Sequence, residues 1–329
     1  MGLNSPMTSR ATIVVVPRER WSFARRSLAS IHADTEPGYD LVYVDGGSPE
    51  PVRHGLAADV ARLGFRLVRT AELLSPNRAR NLGAQLVTSE YTVFIDNDVV
   101  VEPGWLSRLV GCANETGAWI VSPLYCHGWP PGRRIHMAGG LAHVVEDEHG
   151  RTLADDHLHF DAVRTVCAPT LRRAPTEQAE FHCMLVRTDA LTRLGPLDER
   201  LLSLAEHTDV CMLARAAGGG VWFEPAAAVT YVRPKWLRPS DVEFYRLRWS
   251  EAWNRRSVDH FAAKWRLRAD DPWRERLLEW GAAHRCAVRL RTKIARAFLG
   301  PRLGYALARR VDAWLDRSGG GTGHAALGR

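Results

Sequence analysis

With 329 residues, of which 46% are hydrophobic and 25% charged, the chain has the length and composition of one large or two modest globular domains. Its net charge of +7 is uneven, because residues 274–329 contain twelve Arg or Lys against four Asp or Glu, which leaves about −1 for the preceding 273 residues. The sequence has no apolar run of about 18 residues, no secretory signal and no C-x-x-C pair. These absences argue against a membrane-spanning helix, a disulfide framework and a zinc site, and they predict a cytoplasmic protein.

The first 120 residues alternate strand and helix patterns. Short β-branched or apolar runs predict strands at 11–16, 41–44, 65–68 and 91–95. Between them, Ser75-Pro76 resembles a helix N-cap followed by proline at the first helical position, and Pro103 begins a further helix. This alternation predicts a doubly wound, mostly parallel sheet flanked by helices. In that architecture ligands bind beyond the carboxyl ends of the strands.

The second half of the chain is less regular. Residues 125–178 form an irregular insertion with one predicted hairpin, after which strand and helix patterns return. We expect a flexible N-terminus at 1–10 and a first α/β half at 11–124. The insertion and the second half of the same domain follow at 125–235. C-terminal helices at 236–317 and a disordered tail at 318–329 complete the prediction.

Acidic side chains follow two of the predicted strands directly. Asp45 ends the second strand, and Asp96-Asn97-Asp98 follows the fourth. Two carboxylates separated by one residue at a strand end can share a hard cation such as Mg²⁺ or Mn²⁺, which prefers oxygen ligands and often keeps substrate phosphates in its shell. For an isolated motif of this kind, a turn that caps the strand end is the more common explanation.

The sequence context favours the metal site. Residues 75–106 read SPNRARNLGAQLVTSEYTVFIDNDVVVEPGWL, which resembles the inverting family-2 glycosyltransferases with the GT-A fold. Their pattern is a helix with A-R-N-x-G, a strand, Asp-x-Asp and then P-x-W-L. The resemblance includes the VVVP strand end and the V-D-x-G-S turn within 11–48, and the M-L-V-R, L-G-x-L-D-E and F-E-P segments within 183–225.

This resemblance implies roles for the residues at the strand ends. Asp98 would coordinate the metal, and Asp96 would contact the ribose or share the cation. Asp45 would bind the nucleoside and Arg80 would face the base or the diphosphate. Pro17 and Asn97 fall within the same nucleotide-sugar-binding segments. The resemblance thus implies that 11–124 is the nucleotide-sugar-binding half and that 125–235 contains the insertion and the acceptor-binding half.

A second centre is expected at the predicted helix that begins at Glu206. Inverting transfer needs a group that removes the proton of the acceptor hydroxyl. Relatives commonly have E-D-x-D here with the first Asp as the base, whereas this chain has His207 in that place. Glu206 and His207 are therefore the first candidates, followed by Asp209. A first-turn helix aspartate is the alternative for Asp209.

Several histidines are further candidates for metal ligands. Many relatives have a His where this chain has Thr230-Tyr231, so phosphates and water would complete the metal shell, or His182 would substitute. Residues 180–182 could line the acceptor pocket or form a solvent-facing strand entrance. Residues 133–140 are expected to be structural. Asp155, Asp156, His157 and His159 have the composition of a metal site but are predicted to lie in a solvated loop.

Taken together, the sequence predicts a metal-dependent inverting glycosyltransferase. The donor would be a UDP- or dTDP-sugar, the cofactor Mg²⁺ or Mn²⁺, and the acceptor a glycan or lipid-linked glycan. The alternative is a catalytically inactive nucleotide-sugar-binding or scaffold protein with the same fold. The basic C-terminal helices would contact the inner face of the membrane, or form a solvated face or a homodimer contact. No signature of nucleic-acid binding accompanies the charge.

Overall fold

The computed structural model describes residues 9–233 and 236–287, together with 292, 294–295, 297–300, 303–304, 306–307 and 310–311. The expected flexible N-terminus lies almost entirely outside the described residues, and the expected tail at 318–329 lies wholly outside them. The strands are β1 Ala11–Val16, β2 Tyr39–Gly46, β3 Arg66–Thr70, β4 Tyr91–Asp96, β5 Val99–Val101, β6 Ile120–His127, β7 Arg134–Met137, β8 Gly140–Asp147, β9 Gly150–His157, β10 Ala174–Pro175, β11 Cys183–Arg187 and β12 Val221–Tyr231. The helices are α1 Ala24–Ala33, α2 Glu50–Arg62, α3 Pro76–Ala84, α4 Trp105–Thr116, α5 Arg164–Cys167, α6 Thr188–Leu194, α7 Glu206–Ala216, α8 Pro239–Arg248, α9 Glu251–Lys264 and α10 Pro272–Ala287.

One mixed sheet organises the described chain. Its order is β10-β12-β6-β11-β4-β1-β2-β3, with β5 attached to β12 and β7 attached to β6. The strands β3, β2, β1 and β4 run parallel, as do β6 and β12, whereas β11 is antiparallel to both β4 and β6. The predicted α/β class with a mostly parallel sheet is therefore confirmed.

Both faces of the sheet are covered, which explains why its central strands are apolar throughout. Alternate residues of β1 belong to two different cores: Ile13 and Val15 pack with α1 and α4, while Val14 and Val16 pack toward α3 and α7. A strand that is buried on both faces has no solvent side, so it loses the alternating pattern of an exposed sheet.

The insertion is more ordered than its sequence suggests. β8 and β9 form a separate two-stranded antiparallel hairpin, in agreement with the single predicted hairpin. Residues 155–157, however, belong to β9 and line the central cavity, so the prediction of a solvated loop is wrong for them. Their backbone is fixed by the β8 partner strand, which the composition alone did not reveal.

The Trp-rich C-terminal segment packs against the α/β body. Tyr245, Trp249 and Phe261 are buried in a third core with Leu204 and Met212 from the region of α7. These aromatic side chains are therefore part of the core, the usual place for an apolar helix face. None of the helices in the described part of the chain combines the length and the apolar character needed to cross a bilayer.

Helix α3 approaches β1 so closely that one position requires glycine. A Cβ atom on Gly83 would lie 2.3 Å from Val14 Cγ1 and 3.1 Å from Val44 Cγ2, and both valines are fully buried. Helix α3 carries Arg80, so this close approach also sets the depth of that arginine beside the sheet.

We expect Gly83→Ala to lower the free energy of unfolding by about 1–3 kcal/mol, because overpacking a rigid core outweighs the gain in helix propensity. Urea denaturation measures the change. The matched control is Gly111→Ala in α4, where a Cβ would meet nothing closer than 4.0 Å. That variant should be neutral or more stable by up to about 1 kcal/mol. Equal effects of the two substitutions would contradict the close approach of α3.

Candidate active site

The acidic residues at the strand ends meet at one edge of the sheet. β2 and β4 both run parallel to β1 and flank it on either side. Asp96 pairs with Val16 at the end of β1, and Asp45 lies two residues beyond Tyr43, which pairs with Val15. The same end of the sheet therefore presents Asp45 and Asp96, as the sequence predicts.

Asp45 is held by its own turn and by the neighbouring strand. Its Oδ1 accepts a hydrogen bond from the Ser48 backbone nitrogen at 2.9 Å, and its Oδ2 accepts one from Ser48 Oγ at 2.8 Å. Arg69 on β3 forms an ion pair with Oδ2. The Asp45 carboxylate is buried and ionically paired within the fold.

Asp96 lies among three cationic or imidazole side chains. Its Oδ1 accepts a hydrogen bond from Arg80 Nη2 at 3.2 Å. Its Oδ2 lies 3.1 Å from Arg18 Nε and 3.3 Å from His182 Nδ1. Although burial acts to raise it, the pKa of Asp96 lies below its ordinary value, because His182, Arg80 and Arg18 stabilise the carboxylate.

Asp98 has no such partners. Its side chain is fully buried, and among the described residues neither carboxylate oxygen has a hydrogen-bond donor. Burial raises the pKa of Asp98 to about 7. A buried carboxylate without a donor is costly unless a cation meets it, so this side chain is the strongest indication of a missing ligand at the site.

Asn97 and Pro17 build the scaffold around the two aspartates. The Asn97 side chain accepts a hydrogen bond from the Arg18 backbone nitrogen and donates one to the Arg20 carbonyl, each at 3.2 Å. Pro17 is buried at the end of β1. In this structure Asn97 therefore fixes the loop after β1 that carries Arg18.

One group of side chains fits a hard cation. Asp96, Asp98 and His182 place ligand atoms within 4.8 Å of one another, and we call them the aspartate group. Tyr231 stacks on His182 with ring centroids 4.4 Å apart and donates hydrogen bonds to Glu19. Tyr231 thus orients the His182 ring, and His182 stands where the sequence left a third ligand open.

Arg80 connects the strand edge to helix α7. Its guanidinium hydrogen-bonds Asp96 on one side and lies 3.9 Å from Glu206 on the other, over the ring of Phe181. Burial lowers the pKa of Arg80 to about 10, which still leaves it charged at neutral pH. Arg248 of α8 pairs with Glu206 at 3.2 Å. Burial acts to raise the pKa of Glu206, but the two arginines hold it below its ordinary value.

A cavity of about 310 Å³ lies between the sheet edge, α7 and α10. Its walls include Arg18 and Asp96 from the sheet edge, Glu206 and His207 from α7, and Trp280 from α10. The C-terminal helix α10 is therefore one wall of the site, which the sequence did not indicate.

The three candidates from α7 differ in position. His207 lines the cavity, and burial lowers its pKa, so the imidazole is neutral at neutral pH. Asp209 points elsewhere and accepts hydrogen bonds from Lys264 Nζ at 2.7 Å and Trp265 Nε1 at 2.9 Å. Glu206 and His207 therefore face the cavity, whereas Asp209 joins α7 to α9.

Two histidines for which the sequence predicts no role at the site contact Glu180, His136 from the segment expected to be structural and His157 from the segment expected to be a solvated loop. His136 Nε2 lies 2.9 Å from Glu180 Oε2, and His157 Nε2 lies 3.7 Å from Glu180 Oε1. Burial acts to raise the pKa of Glu180, but the surrounding imidazoles keep it well below its ordinary value. No short motif links these residues, because they come from three separate stretches of the chain.

Comparison with known proteins agrees with this geometry. Residues 12–160 match the family model described as glycosyl transferase family 2. Over these residues, just under half of its length, the chain is similar to glycosyl transferase family 2. The matched residues include all four parallel strands β1 to β4 and the Asp96–Asp98 segment.

Individual relatives are more distant. The chain is 25% identical over 235 residues to a pre-mycofactocin glycosyltransferase of Mycobacterium tuberculosis, which is 71% of this chain and 45% of that protein. It is 32% identical over 123 residues to human polypeptide N-acetylgalactosaminyltransferase 15, which is 36% of this chain and 19% of the human protein. The chain thus spans less than half the length of these curated relatives.

A solved structure of GalNAc-T7 with UDP, GalNAc and Mn²⁺ superimposes on 87% of this chain and on 56% of that chain, with a TM-score of 0.53 and 16% identity. This likeness shows a shared GT-A fold. The fold predicted from the sequence and the family predicted from its motifs are both confirmed.

The unpartnered carboxylate gives a prediction about stability. In protein freed of divalent ions, we expect Asp98→Asn to raise the melting temperature by roughly 2–4 °C, which for a large domain corresponds to about 1 kcal/mol, because a buried charge without donors is removed. Thermal unfolding with and without Mn²⁺ measures the change. Mn²⁺ should stabilise the wild type and leave Asp98→Asn unaffected.

Asp45→Asn provides the contrast, because the same substitution there breaks the ion pair with Arg69. It should lower the melting temperature whether or not Mn²⁺ is present. A metal-free Asp98→Asn protein that melts below the wild type would argue against a cation at the aspartate group.

Proposed function

We propose that this chain transfers a sugar from a nucleotide diphosphate sugar to a hydroxyl acceptor, with inversion at the anomeric carbon and with the help of Mg²⁺ or Mn²⁺. The observation that carries the proposal is Asp98, a fully buried carboxylate whose two oxygens have no donor, beside Asp96 and His182. Two carboxylates and one imidazole are a suitable ligand set for Mn²⁺.

The aspartate group would hold the ion, and the ion would neutralise the charge that develops on the departing nucleoside diphosphate. Arg18 supports this role from the protein side. Its guanidinium contacts Asp96 and Glu19 and lies over Tyr231 on the cavity wall, where it adds positive charge next to the ligands. Asp45, at the same sheet edge, would face the nucleoside. Its turn is held by the two hydrogen bonds that Ser48 donates to the Asp45 carboxylate.

The acceptor would bind on the opposite side of the same cavity. His207 stands where relatives have an acidic base, lines the cavity and is neutral at neutral pH. We place the reacting acceptor oxygen beside His207. Glu206 of α7 forms ion pairs with Arg80 and Arg248, and Arg80 also forms an ion pair with Asp96. Arg80 would therefore connect the donor side of the cavity, at Asp96, to the acceptor side, at Glu206.

The donor we propose is a UDP- or dTDP-sugar, and the acceptor is a glycan or lipid-linked glycan. A mixed aromatic and charged wall formed by Trp273, Arg276 and Trp280 of α10 supports an acceptor with a sugar ring, since such rings stack on aromatic side chains while their hydroxyls meet charged groups.

We expect Mn²⁺-dependent binding of UDP or dTDP, visible as a rise in melting temperature, and transfer or slow hydrolysis of the matching nucleotide sugar. His207→Gln should keep Mn²⁺-dependent nucleotide binding but lose transfer by about 10²–10⁴-fold, the usual contribution of a group that assists proton transfer. The assay is turnover of labelled donor together with thermal shift.

The matched control is Asp209→Asn, two residues further along the same helix. Because Asp209 pairs with Lys264 and Trp265 away from the cavity, this variant should lose stability but keep its rate per folded molecule. Nucleotide-sugar binding without any turnover in the wild type would favour the inactive scaffold instead.

We further propose that the C-terminal segment contacts an anionic membrane surface. Exposed apolar side chains lie four residues apart, the spacing of one helical face, on either side of Gly300, whose φ is +77°: Ile294 and Phe298 before it, and Leu303, Leu307 and Val311 after it. The segment 274–329 carries a net charge of +8 in sequence, although several of its arginines lie outside the described residues. An apolar face in a basic segment is the composition of an interfacial helix.

The test is sedimentation with vesicles that contain phosphatidylserine. We expect binding that falls as salt rises, and a loss of binding for Phe298→Asp and Leu303→Asp. Neutral phosphatidylcholine vesicles should bind much less. If both substitutions instead dissociate a dimer in size-exclusion chromatography and leave vesicle binding unchanged, this face is a homodimer contact and the membrane proposal fails.

A further inference from the structure

A second group of potential metal ligands lies on the acceptor side of the cavity. His157 at the end of β9, Glu180 before β11 and His207 in the first turn of α7 place one ligand atom each within 4.8 Å of the others. We call them the histidine group. It shares no residue with the aspartate group, and it combines two imidazoles with one carboxylate.

The backbone around this group is rigidly held. The Tyr125 hydroxyl accepts a hydrogen bond from the Glu180 nitrogen at 2.8 Å and lies 2.9 Å from the Glu180 carbonyl oxygen. Gly140 pairs with His157 in the β8–β9 hairpin. A Cβ on Gly140 would lie 2.5 Å from Gln178 Oε1, so the hairpin and the segment leading to Glu180 approach as closely as a glycine allows.

The spacing of the ligands fits an ion better than a hydrogen bond. His157 Nε2 and Glu180 Oε1 are 3.7 Å apart, which is too far for a hydrogen bond. Two ligands bound about 2.1 Å from a tetrahedral ion lie about 3.4 Å apart. A small contraction would therefore bring both atoms to bonding distance of one cation.

The second oxygen of Glu180, Oε2, is buried. His136 Nε2 lies 2.9 Å from Glu180 Oε2, and His182 Nε2 lies 3.7 Å from it. Glu180 Oε2 and His136 Nδ1 nevertheless lack a well-aligned hydrogen-bond partner. A ligating carboxylate is commonly oriented by an outer imidazole in this way, with its other oxygen left for the metal.

His182 also connects the two groups. Its Nδ1 faces Asp96 in the aspartate group at 3.3 Å, and its Nε2 faces Glu180. The two sites would thus be separated by a single imidazole ring. Their chemistry differs, since two carboxylates favour Mg²⁺ or Mn²⁺ whereas two imidazoles with one carboxylate favour Zn²⁺, Co²⁺ or Fe²⁺.

We propose that the histidine group is a second metal site, which binds a divalent transition ion of the Zn²⁺ or Co²⁺ type through His157, Glu180 and His207 and leaves a coordination position open to the cavity. The three side chains line the cavity, and His157 and His207 are only partly buried, so an oxygen ligand has access. Three protein ligands with one open position is the arrangement of ions that contact substrate. Binding of the ion stands on this group alone. An imidazole that binds the ion cannot also accept a proton, so His207 would assist proton transfer only in chains without this ion, and with the ion bound the ion would lower the pKa of an acceptor hydroxyl instead. That contact with an acceptor oxygen rests on the proposed function.

The test is carried out in an Asp98→Asn background, which weakens the aspartate group so that Zn²⁺ reports mainly on the histidine group. Equilibrium dialysis against Zn²⁺ should find one bound ion per chain. Adding His157→Ala or His207→Ala should weaken that binding by more than about 100-fold, because the loss of even an outer partner costs about 10–100-fold. Co²⁺ should give visible absorption that the same two variants abolish.

His54→Ala in the same background is the matched control, since His54 is an exposed imidazole on α2 outside both groups. It should keep one Zn²⁺ and the Co²⁺ absorption. Circular dichroism and melting temperature confirm that each variant is folded. Unchanged Zn²⁺ affinity in both His157→Ala and His207→Ala would overturn the proposal.

The two proposals fail independently. If the wild type shows no Mn²⁺-dependent nucleotide binding while Asp98→Asn still binds one Zn²⁺ that requires His207, the proposed function fails and the second site stands. If Asp98→Asn abolishes Mn²⁺-dependent nucleotide binding while His157→Ala and His207→Ala leave the Zn²⁺ affinity unchanged, the second site fails and the proposed function stands.

Discussion

The site depends on one electrostatic constraint: carboxylates gathered at a buried sheet edge need cations. The parallel strands β2 and β4 deliver Asp45 and Asp96 to the same end of the sheet, and the chain supplies arginines from distant elements to balance them. Asp45 and Asp96 are satisfied in this way. Asp98 is not, since its carboxylate oxygens have no hydrogen-bond donor within the described part of the chain, and we propose that a cation meets this charge.

The same charges organise the elements around the cavity. Arg80 on α3 holds Asp96 and approaches Glu206, so the start of α7 is tied to the sheet edge. Arg248 on α8 contacts Glu206 in turn and connects the C-terminal helices to the same network. We therefore expect that a substitution at Asp96 also alters the packing of Arg248, and that a substitution at Arg248 also alters the position of Asp96. The close approach of α3 to β1 at Gly83 keeps Arg80 at the required depth.

The local sequence pattern predicts the residues at the sheet edge but not the residues that more distant segments contribute to the cavity walls. Apolar runs that end in Asp45 and Asp96 specify strands and their ends directly, so the fold class, the family and the carboxylate positions followed from the sequence. The positions of Arg18, His157 and Trp280 did not, since each depends on packing between segments that are far apart in the chain. For His182 the sequence predicts only an alternative role as a metal ligand. For Asp209 it predicts a place beside His207, whereas the structure has its side chain hydrogen-bonded to Lys264 and Trp265. Helix periodicity does not specify which neighbouring side chain a residue contacts.

The most direct measurement is anomalous X-ray scattering from crystals grown with Mn²⁺ and a nucleoside diphosphate. We predict a manganese peak within bonding distance, about 2.1–2.3 Å, of a carboxylate oxygen of Asp98. Asp96 or His182 should be a further ligand, and the diphosphate should complete the coordination shell. A well-bound nucleotide with manganese elsewhere, and with Asp98 still buried without any partner, would contradict it.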